Sequence, residues 1–431
     1  MQEARQVQTK RASERPAAAG DAEFRQALTM VGDHLVPDEI PFIRPRYPGP
    51  AELAKDLDEI LHANWYTNFG PKERLFARAI GEYLGQDLHV ATIANGTMAL
   101  IAALHATVGH GTRNQYLLMP SFTFVAVAQA ALWAGYRPWF IDIDAQTWQP
   151  SASSARAVLE SSRDRVAGIL LANVFGVGNP QIGVWEDLAA EWDLPIVLDS
   201  AAGFGSAYMD GRPVGGRGAC EIFSFHATKT LAIGEGGAVV SRDPRLIEQI
   251  REFQNFGFGP QGCTQLGING KMPEVSAAIG LRQLGGLDHR LASRRNVFNR
   301  YCAELSDVGV RFQPNADTSS LCFASACCQS ADHKAAVLAS LRQGAIRAHD
   351  YYNPPQHLQP FFVANPELVR SADLSNTQDL CSRIVSLPIH DYMAPDDVAR
   401  VIAGVQQRGS HLTGPASSLT PGIMTDTPEV A

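Results

Sequence analysis

The stretch Ser224-Phe225-His226-Ala227-Thr228-Lys229, followed by Gly234-Glu235-Gly236-Gly237, places a lysine just after a predicted β-strand and close behind a serine. A lysine amine attacks an aldehyde only when it is neutral, and burial or crowding by charge can lower its pKa from about 10.4 toward neutrality. Lys229 is therefore a candidate for covalent attachment of an aldehyde cofactor, with Ser224 as a candidate phosphate ligand. A surface lysine after an ordinary strand would explain the same letters, so this motif needs support from the rest of the chain.

The composition restricts the class of protein. The chain has 431 residues, enough for two domains, and 45% of them are hydrophobic. Its 36 Lys and Arg residues against 44 Asp and Glu residues give a net charge of -8, so no broad cationic surface for nucleic acid is expected. An anionic substrate would need a local basic pocket.

Cysteine usage and the hydrophobic runs predict a cytoplasmic protein. The seven cysteines are an odd number without a C-x-x-C pair, which argues against a disulfide framework and a zinc knuckle. Residues 1–21 lack the apolar segment of a secretory signal, and no later run is long enough for a membrane helix. We therefore expect reduced thiols and no membrane partner.

Strand-like and helix-like segments alternate through the first two thirds of the chain. This alternation predicts an α/β fold with a mainly parallel sheet that is covered by helices on both faces. The predicted strands are residues 89–93, 116–119, 138–143, 167–174, 195–199 and 221–226, and the predicted helices between them are 97–106, 124–134 and 185–192.

The domain boundaries follow from changes in this pattern. Residues 41–290 should form the large cofactor-binding domain, and 291–408 a smaller C-terminal α+β domain. Helical spacing from 272 to about 305 predicts one long helix that connects them. The ends, 1–40 and 409–431, have little apolar periodicity and are predicted to be a mobile extension and a disordered tail.

Three further positions carry side chains suited to one cofactor. Gly96-Thr97 lies between a strand and a helix, where free N–H groups can hold a phosphate, although Thr97 could simply be an N-cap. Asp199 ends a strand and could keep the pyridine nitrogen of pyridoxal phosphate protonated, or could cap a turn. Phe124 could lie against a planar ring, but taken alone an aromatic residue in a helix is better interpreted as core.

Four segments then match one family in order and spacing. They are Asn95-Gly96-Thr97-Met98-Ala99-Leu100, Asp199-Ser200-Ala201-Ala202-Gly203-Phe204-Gly205, the Ser224 to Gly237 stretch, and Asn269-Gly270-Lys271-Met272-Pro273-Glu274. From about Trp65 to about Gln407 the chain resembles the DegT-type (DegT/DnrJ/StrS) sugar aminotransferases. The resemblance implies a fold type I enzyme that uses pyridoxal 5'-phosphate.

The resemblance also implies a role for individual residues. Lys229 would hold the cofactor as an imine, Asp199 would pair with the ring nitrogen, and Phe124 would stack on the ring. Gly96, Thr97 and Ser224 would bind the phosphate. Asn269 would reach the cofactor of a second subunit, which implies a homodimer with shared active sites. The 351–357 loop resembles the family's sugar-site loop less closely, with Tyr352 and His357 as substrate-binding residues, and Ala202 replaces the family's usual Gln or His.

The expected reaction moves an amino group from an amino acid, for which L-glutamate is the first choice, to a nucleotide-linked keto-deoxysugar. Alternatives are a pyridoxamine-phosphate-dependent sugar dehydratase, an aminotransferase for a cyclitol ketone, and a non-catalytic regulator. Such dehydratases resemble this chain but have histidine in place of Lys229, and a regulator should have lost some of Lys229, Asp199 and Ser224.

Two other motif matches are rejected. The G-x-G-x-x-G letters at 257–262 follow a helical stretch instead of a strand, so a dinucleotide site is not expected. Cys327, Cys328 and His333 lack a partner pair for a closed metal site, and no metal is expected.

Overall fold

A computed structural model describes residues 38–85, 87–112 and 114–407. The two predicted mobile ends lie outside these residues, apart from 38–40. Residues 41–407 belong to one compact unit. Among the residues described, no helix combines the length and the apolar character that crossing a membrane requires.

The central sheet has eight strands in the order β1-β7-β6-β5-β4-β2-β3-β12. Among the described strands of this sheet, β7 alone runs opposite to the other seven, so the predicted mainly parallel sheet is confirmed. The bounds of its strands are β1 (His89–Ile93), β2 (Tyr116–Pro120), β3 (Arg137–Ile141), β4 (Val166–Ala172), β5 (Ile196–Asp199), β6 (Cys220–Ser224), β7 (Gly237–Ser241) and β12 (Arg370–Ser371).

Helices cover both faces of this sheet because side chains of alternate strand residues point to opposite faces. Leu198 and Phe223 pack into one apolar layer with helices α2, α5 and α6, whereas Val197 and Ile222 pack into the other with α3, α4 and α7. These helices and the one that precedes them are α1 (Pro50–Ala63), α2 (Pro71–Leu84), α3 (Gly96–Thr107), α4 (Ala126–Trp133), α5 (Ala152–Ser162), α6 (Ile182–Glu191) and α7 (Pro244–Phe253).

The predicted single helix over 272–305 is wrong. Two helices, α8 (Glu274–Gly285) and α9 (Leu287–Leu305), replace it, and Gly286 separates them. Each glycine costs a helix interior about 1 kcal/mol relative to alanine, so the Gly285-Gly286 pair is a natural point of interruption. Helix α9 spans the predicted domain boundary at 290.

The C-terminal part contains a three-stranded antiparallel sheet in the order β10-β11-β13. Its strands and helices are β10 (Val310–Phe312), β11 (Ala324–Cys328), α10 (Ala331–Gln343), α11 (Pro360–Ala364), α12 (Ser375–Arg383), β13 (Ile384–Leu387) and α13 (Pro395–Gln406). Strand β12 lies within the same part of the chain but pairs with β3 of the large sheet. The division into 41–290 and 291–408 therefore stays a prediction, and this segment crosses it.

The rejected G-x-G-x-x-G segment forms a short hairpin of β8 (Phe258–Gly259) and β9 (Gly262–Cys263) after α7. A dinucleotide motif requires a strand before the glycines and a helix after them. Neither is present around this hairpin, where α7 precedes it and the extended stretch up to Pro273 follows it.

Candidate active site

Ser224, the last residue of β6, lies beside the turn that follows β5 and beside the start of α3. Its backbone N–H donates to the carbonyl of Ala201, 3.3 Å away, just beyond β5. A Cβ atom placed on Gly96 would lie 2.9 Å from the Cβ and 3.2 Å from the Oγ of Ser224, so only glycine allows this approach. The serine hydroxyl is thereby held against the first turn of α3.

The first turn of α3 is suited to an anion. Asn95 is the N-cap, and its Oδ1 accepts from the N–H of Met98 at 2.9 Å. The interpretation of Thr97 as the N-cap is therefore wrong, and Gly96 and Thr97 occupy the first two helical positions. Such positions have no carbonyl partner within their own helix, and the helix dipole favours negative charge there. Their N–H groups and the Ser224 hydroxyl form a set of donors that fits a phosphate.

Asp199 lies at the end of β5 with 6% of its surface exposed. Burial raises the pKa of its carboxyl, although the Ala201 N–H at 3.0 Å and the charge of Lys229 both act to lower it. Lys229 is half-buried, and its backbone N–H donates to the His226 carbonyl at 2.9 Å. Among the described residues the carboxylate accepts one hydrogen bond, so it is suited to a further one from a cationic ring nitrogen.

Aromatic rings form a wall beside Asp199. Tyr352 stacks on Phe175 with centroids 5.0 Å apart and an interplanar angle of 17°, and its ring centroid lies 6.4 Å from that of Phe124. Burial, and secondarily the negative charge of Asp199, raises the pKa of the Tyr352 phenol, which therefore stays neutral.

Phe124 is 56% exposed and precedes α4, so its assignment to the core is wrong. Phe124 lies before the first residue of α4 and is not part of its buried face. Its ring therefore lies at the surface beside Tyr352. An exposed ring in this position is available to a ligand, and its predicted stacking role stays a prediction.

His357 is engaged by residues of its own chain. Its Nδ1 lies 2.7 Å from the Oγ of Ser121, just beyond β2, and its Nε2 lies 3.2 Å from the Nε2 of Gln378. Burial lowers the pKa of His357, although Asp142 acts to raise it. The side chain therefore fixes the 351–357 loop to the large sheet, and contact with a substrate stays a prediction.

Asn269 is exposed, and its Oδ1 accepts from the Lys271 ammonium at 2.8 Å. The next residue, Gly270, accepts from the Ala94 N–H at 2.7 Å, which places this loop beside the strand that leads to Gly96. The predicted contact with a second subunit is not tested by one chain.

Ala202 is 8% exposed and offers no side-chain hydrogen bond where the family usually has Gln or His. Its carbonyl instead accepts from the Ser320 hydroxyl at 2.5 Å, with the Cys322 thiol at 3.8 Å. These contacts attach the turn after Asp199 to the segment that leads into β11.

A group of buried polar residues next to Asp199 was not predicted from the sequence. Asn173 follows β4 and donates to Ser200 at 2.8 Å and to Tyr208 at 3.1 Å. Both of these hydroxyls donate in turn to Glu221, which is fully buried in β6. The available signal was Glu221 itself, since it is the one charged residue within the run Cys220–Ser224.

Comparisons with known proteins identify the family. A model of the DegT/DnrJ/EryC1/StrS aminotransferase family matches residues 49–406, and the chain belongs to that family. Protein Rv3402c of Mycobacterium tuberculosis is 72% identical over 87% of this chain and 91% of its own length, but its name gives no activity. The dTDP-4-amino-4,6-dideoxy-D-glucose transaminase of Shigella dysenteriae is 28% identical over 84% of this chain and 97% of its own.

A solved structure agrees with this assignment. DesI was analysed by crystallography in the presence of its TDP-sugar product. It is 30% identical to this protein with a TM-score of 0.77, and the match covers 86% of this chain and 92% of the DesI chain. The protein is therefore a pyridoxal-phosphate-dependent aminotransferase with a fold type I architecture. The donors around Gly96, the buried carboxyl of Asp199 and the amine of Lys229 fit the phosphate, ring nitrogen and aldehyde of that cofactor.

Proposed function

We propose that this protein transfers an amino group from L-glutamate to the keto group of a nucleotide-linked deoxysugar. The observation that carries the proposal is that Lys229, Asp199, Ser224 and the N–H groups at the start of α3 lie together at the carboxyl edge of the parallel strands. The transaminase of Shigella dysenteriae is named for a dTDP-linked amino sugar, and DesI for a TDP-sugar product. Both support a nucleotide-linked acceptor.

Each of the predicted site residues would have a separate role in the reaction. Gly96, Thr97 and Ser224 would hold the phosphate, and Asp199 would keep a proton on the ring nitrogen. Pyridoxal phosphate, once bound, supplies the electron sink for a carbanion. The amine of Lys229 would then take the proton from the Cα of the donor amino acid. In the second half-reaction it would give a proton to the acceptor carbon that carried the keto group.

The aromatic wall would orient the acceptor and exclude water. The exposed ring of Phe124 is available for stacking, and the neutral Tyr352 phenol can donate or accept a hydrogen bond. His357 would act mainly by holding the 351–357 loop, because both of its ring nitrogens already lie near Ser121 and Gln378. A sugar hydroxyl could replace Gln378 at the Nε2 atom.

We place the second half of the site on another copy of the chain. Large apolar side chains are exposed in the loop that ends at Asn269, and clusters of this kind commonly mark protein interfaces. They are Phe256 at 48%, Phe258 at 51% and Leu266 at 61% exposure. A homodimer that covers them would bring Asn269 to the neighbouring site. The seven free thiols support a cytoplasmic location.

A panel of keto substrates and amino donors tests this function. The purified protein should convert a nucleotide-linked keto-deoxysugar with L-glutamate as donor, measured as 2-oxoglutarate released and amino sugar formed. Lys229→Ala should abolish turnover, whereas Lys55→Ala, an exposed lysine on α1, should not change it. Activity only with a cyclitol ketone, or only loss of a sugar hydroxyl, would replace the proposal with one of the two enzymatic alternatives.

The attachment of the cofactor can be tested separately. Reduction of the holoenzyme with borohydride should fix the cofactor to the Nζ of Lys229, and peptide mass spectrometry would locate it. Recovery of the label on another lysine would overturn the assignment of Lys229.

A further inference from the structure

Glu221 is buried on the face of the sheet opposite to Asp199. In the β5–β6 pairing Glu221 lies beside Leu198, and Asp199 lies beside Ile222. Because side chains alternate along a strand, the two carboxyls occupy opposite faces although their strands are neighbours. Glu221 therefore takes no direct part in the site and needs its own explanation, since an isolated buried charge is costly.

Three donors surround the Glu221 carboxyl. The phenol of Tyr208 donates to Oε1 at 2.6 Å, the backbone N–H of Arg217 donates to Oε1 at 3.1 Å, and the hydroxyl of Ser200 donates to Oε2 at 3.1 Å. Both Ser200 and Tyr208 also accept from the Nδ2 of Asn173. Every hydroxyl proton in this network thus points toward Glu221, which is the arrangement that a carboxylate requires.

The network reaches Asp199 through Ser200. The backbone N–H of Ser200 donates to the Ile222 carbonyl at 3.0 Å, and that of Asn173 donates to the Asp199 carbonyl at 2.9 Å. The next N–H, of Ala201, donates to the Asp199 carboxylate itself. Fixing the Ser200 side chain thus fixes the turn whose amide orients Asp199.

The protonation state of Glu221 decides whether this network holds. A protonated carboxyl would have to donate toward Ser200 or Tyr208, and the displaced hydroxyl would lose its acceptor. The charged and titratable groups around it are Arg217 and Tyr208 on its own face of the sheet, and Cys220 and Asp199 on the opposite face. The guanidinium of Arg217 is already paired with Glu186 and Asp210.

We propose that Glu221 is a positioning residue for Asp199, which as a carboxylate holds Ser200 and thereby the 199–201 turn in the geometry that binds the cofactor. This inference rests on the proposed role of Asp199 toward the ring nitrogen. Burial raises the pKa of Glu221 to about 7, against the donors that stabilise its charge. The network should therefore hold above neutral pH and loosen below it.

Cofactor release from the holoenzyme tests the inference. The Kd for pyridoxal phosphate would be measured by equilibrium dialysis for the wild type, Glu221→Gln, Ser200→Ala and the double variant at pH 8. Each single substitution should raise the Kd about tenfold, and the double variant should raise it about tenfold as well, because both act on one pathway. An additive, roughly hundredfold effect in the double variant would overturn the coupling.

A pH series gives a second, independent readout. The wild-type Kd should rise between pH 8 and pH 6 more steeply than that of Glu221→Gln, whose side chain does not titrate. Leu159→Ala, a truncation in the same apolar layer at a side chain that takes no part in the hydrogen bonds of the network, should keep the wild-type slope. Equal slopes in wild type and Glu221→Gln would refute the role of Glu221, and this comparison decides the matter if Ser200→Ala does not fold.

Asp199→Asn separates failure of this inference from failure of the proposed site. If Asp199→Asn leaves the Kd and the spectrum of the bound cofactor unchanged, the assigned role of Asp199 is wrong and the inference fails with it. If Asp199→Asn weakens binding and Glu221→Gln does not, the site stands and Glu221 is only a buried structural residue.

Discussion

The pKa of the Asp199 carboxyl should depend on whether the cofactor is bound. Burial raises the pKa of its carboxyl even though the Ala201 N–H and Lys229 favour the charged form. A protonated ring nitrogen would add a charge-assisted hydrogen bond, so cofactor binding should lower the pKa of Asp199. The same pairing would let the ring accept electrons from a developing carbanion.

Asp199→Asn should therefore slow the half-reaction with L-glutamate. An amide of the same shape removes the charge, and loss of such a partner costs on the order of 3 kcal/mol, or about two powers of ten in rate. Stopped-flow absorbance of the bound cofactor measures this step. Asp187→Asn, an exposed position on α6, is the matched control. A near-normal rate for Asp199→Asn would assign the role to another group, with Ser200 the first to test.

Glu221 should leave a signature in the pH dependence of stability. Its pKa is raised from 4.5 to about 7, so between these values the folded protein keeps a proton that the unfolded chain has released. The contribution of this group to the free energy of unfolding is therefore present at low pH and lost as the pH rises toward 7, by about 3 kcal/mol in total.

Urea denaturation of wild type and Glu221→Gln at pH 5, 6, 7 and 8 measures this contribution. The stability difference between the two should shift in favour of Glu221→Gln as the pH rises to 7 and then become constant. Parallel stability curves from pH 5 to pH 8 would show that Glu221 does not titrate in this range.

Among the elements, the start of α3 needs a glycine for its close approach to β6. Gly96→Ala would place a Cβ 2.9 Å from the Cβ of Ser224, so the helix start and β6 would have to separate. The groups proposed to bind the phosphate would move apart, and the Kd for pyridoxal phosphate should rise by about one to two powers of ten, which is about 1.4 to 2.7 kcal/mol.

Gly183→Ala is the matched control for this substitution. Gly183 lies in the first turn of α6, and a Cβ there would have no atom within 4 Å. Fluorescence titration of both variants with pyridoxal phosphate makes the comparison. Equal affinity in Gly96→Ala and Gly183→Ala would show that the approach of α3 to Ser224 is not needed for the phosphate.

The elements that could be predicted from the sequence are those whose hydrophobic pattern is local. The parallel strands are near-continuous apolar runs, and β5 and β6 were placed within two residues of their observed ends. The antiparallel β7 and the two-residue β12 were missed, because their pairing depends on distant strands and not on local periodicity. The role of Glu221 was missed for the same reason, because its burial depends on hydrogen-bond donors from Tyr208, Arg217 and Ser200 and not on local periodicity.

The molecule as a whole requires a second copy if Asn269 acts where the family resemblance puts it. In the single chain this residue is exposed, paired with Lys271, and adjacent to a loop with exposed Phe256, Phe258 and Leu266. Closed two-fold symmetry is the commonest way to bury one such patch on both chains. Each active site would then combine Lys229 from one subunit with Asn269 from the other.

Subunit mixing distinguishes shared sites from separate ones. Lys229→Ala and Asn269→Asp should each be inactive, the second because a carboxylate would repel the phosphate. In a heterodimer one site receives both defects and the other receives neither, so equal mixing should restore about a quarter of the wild-type sites. Activity and exchange would be measured together, with a tag on one variant to count heterodimers. Verified exchange without recovery of activity would mean that each chain builds its site alone, and the exposed loop at Asn269 would then need a different partner.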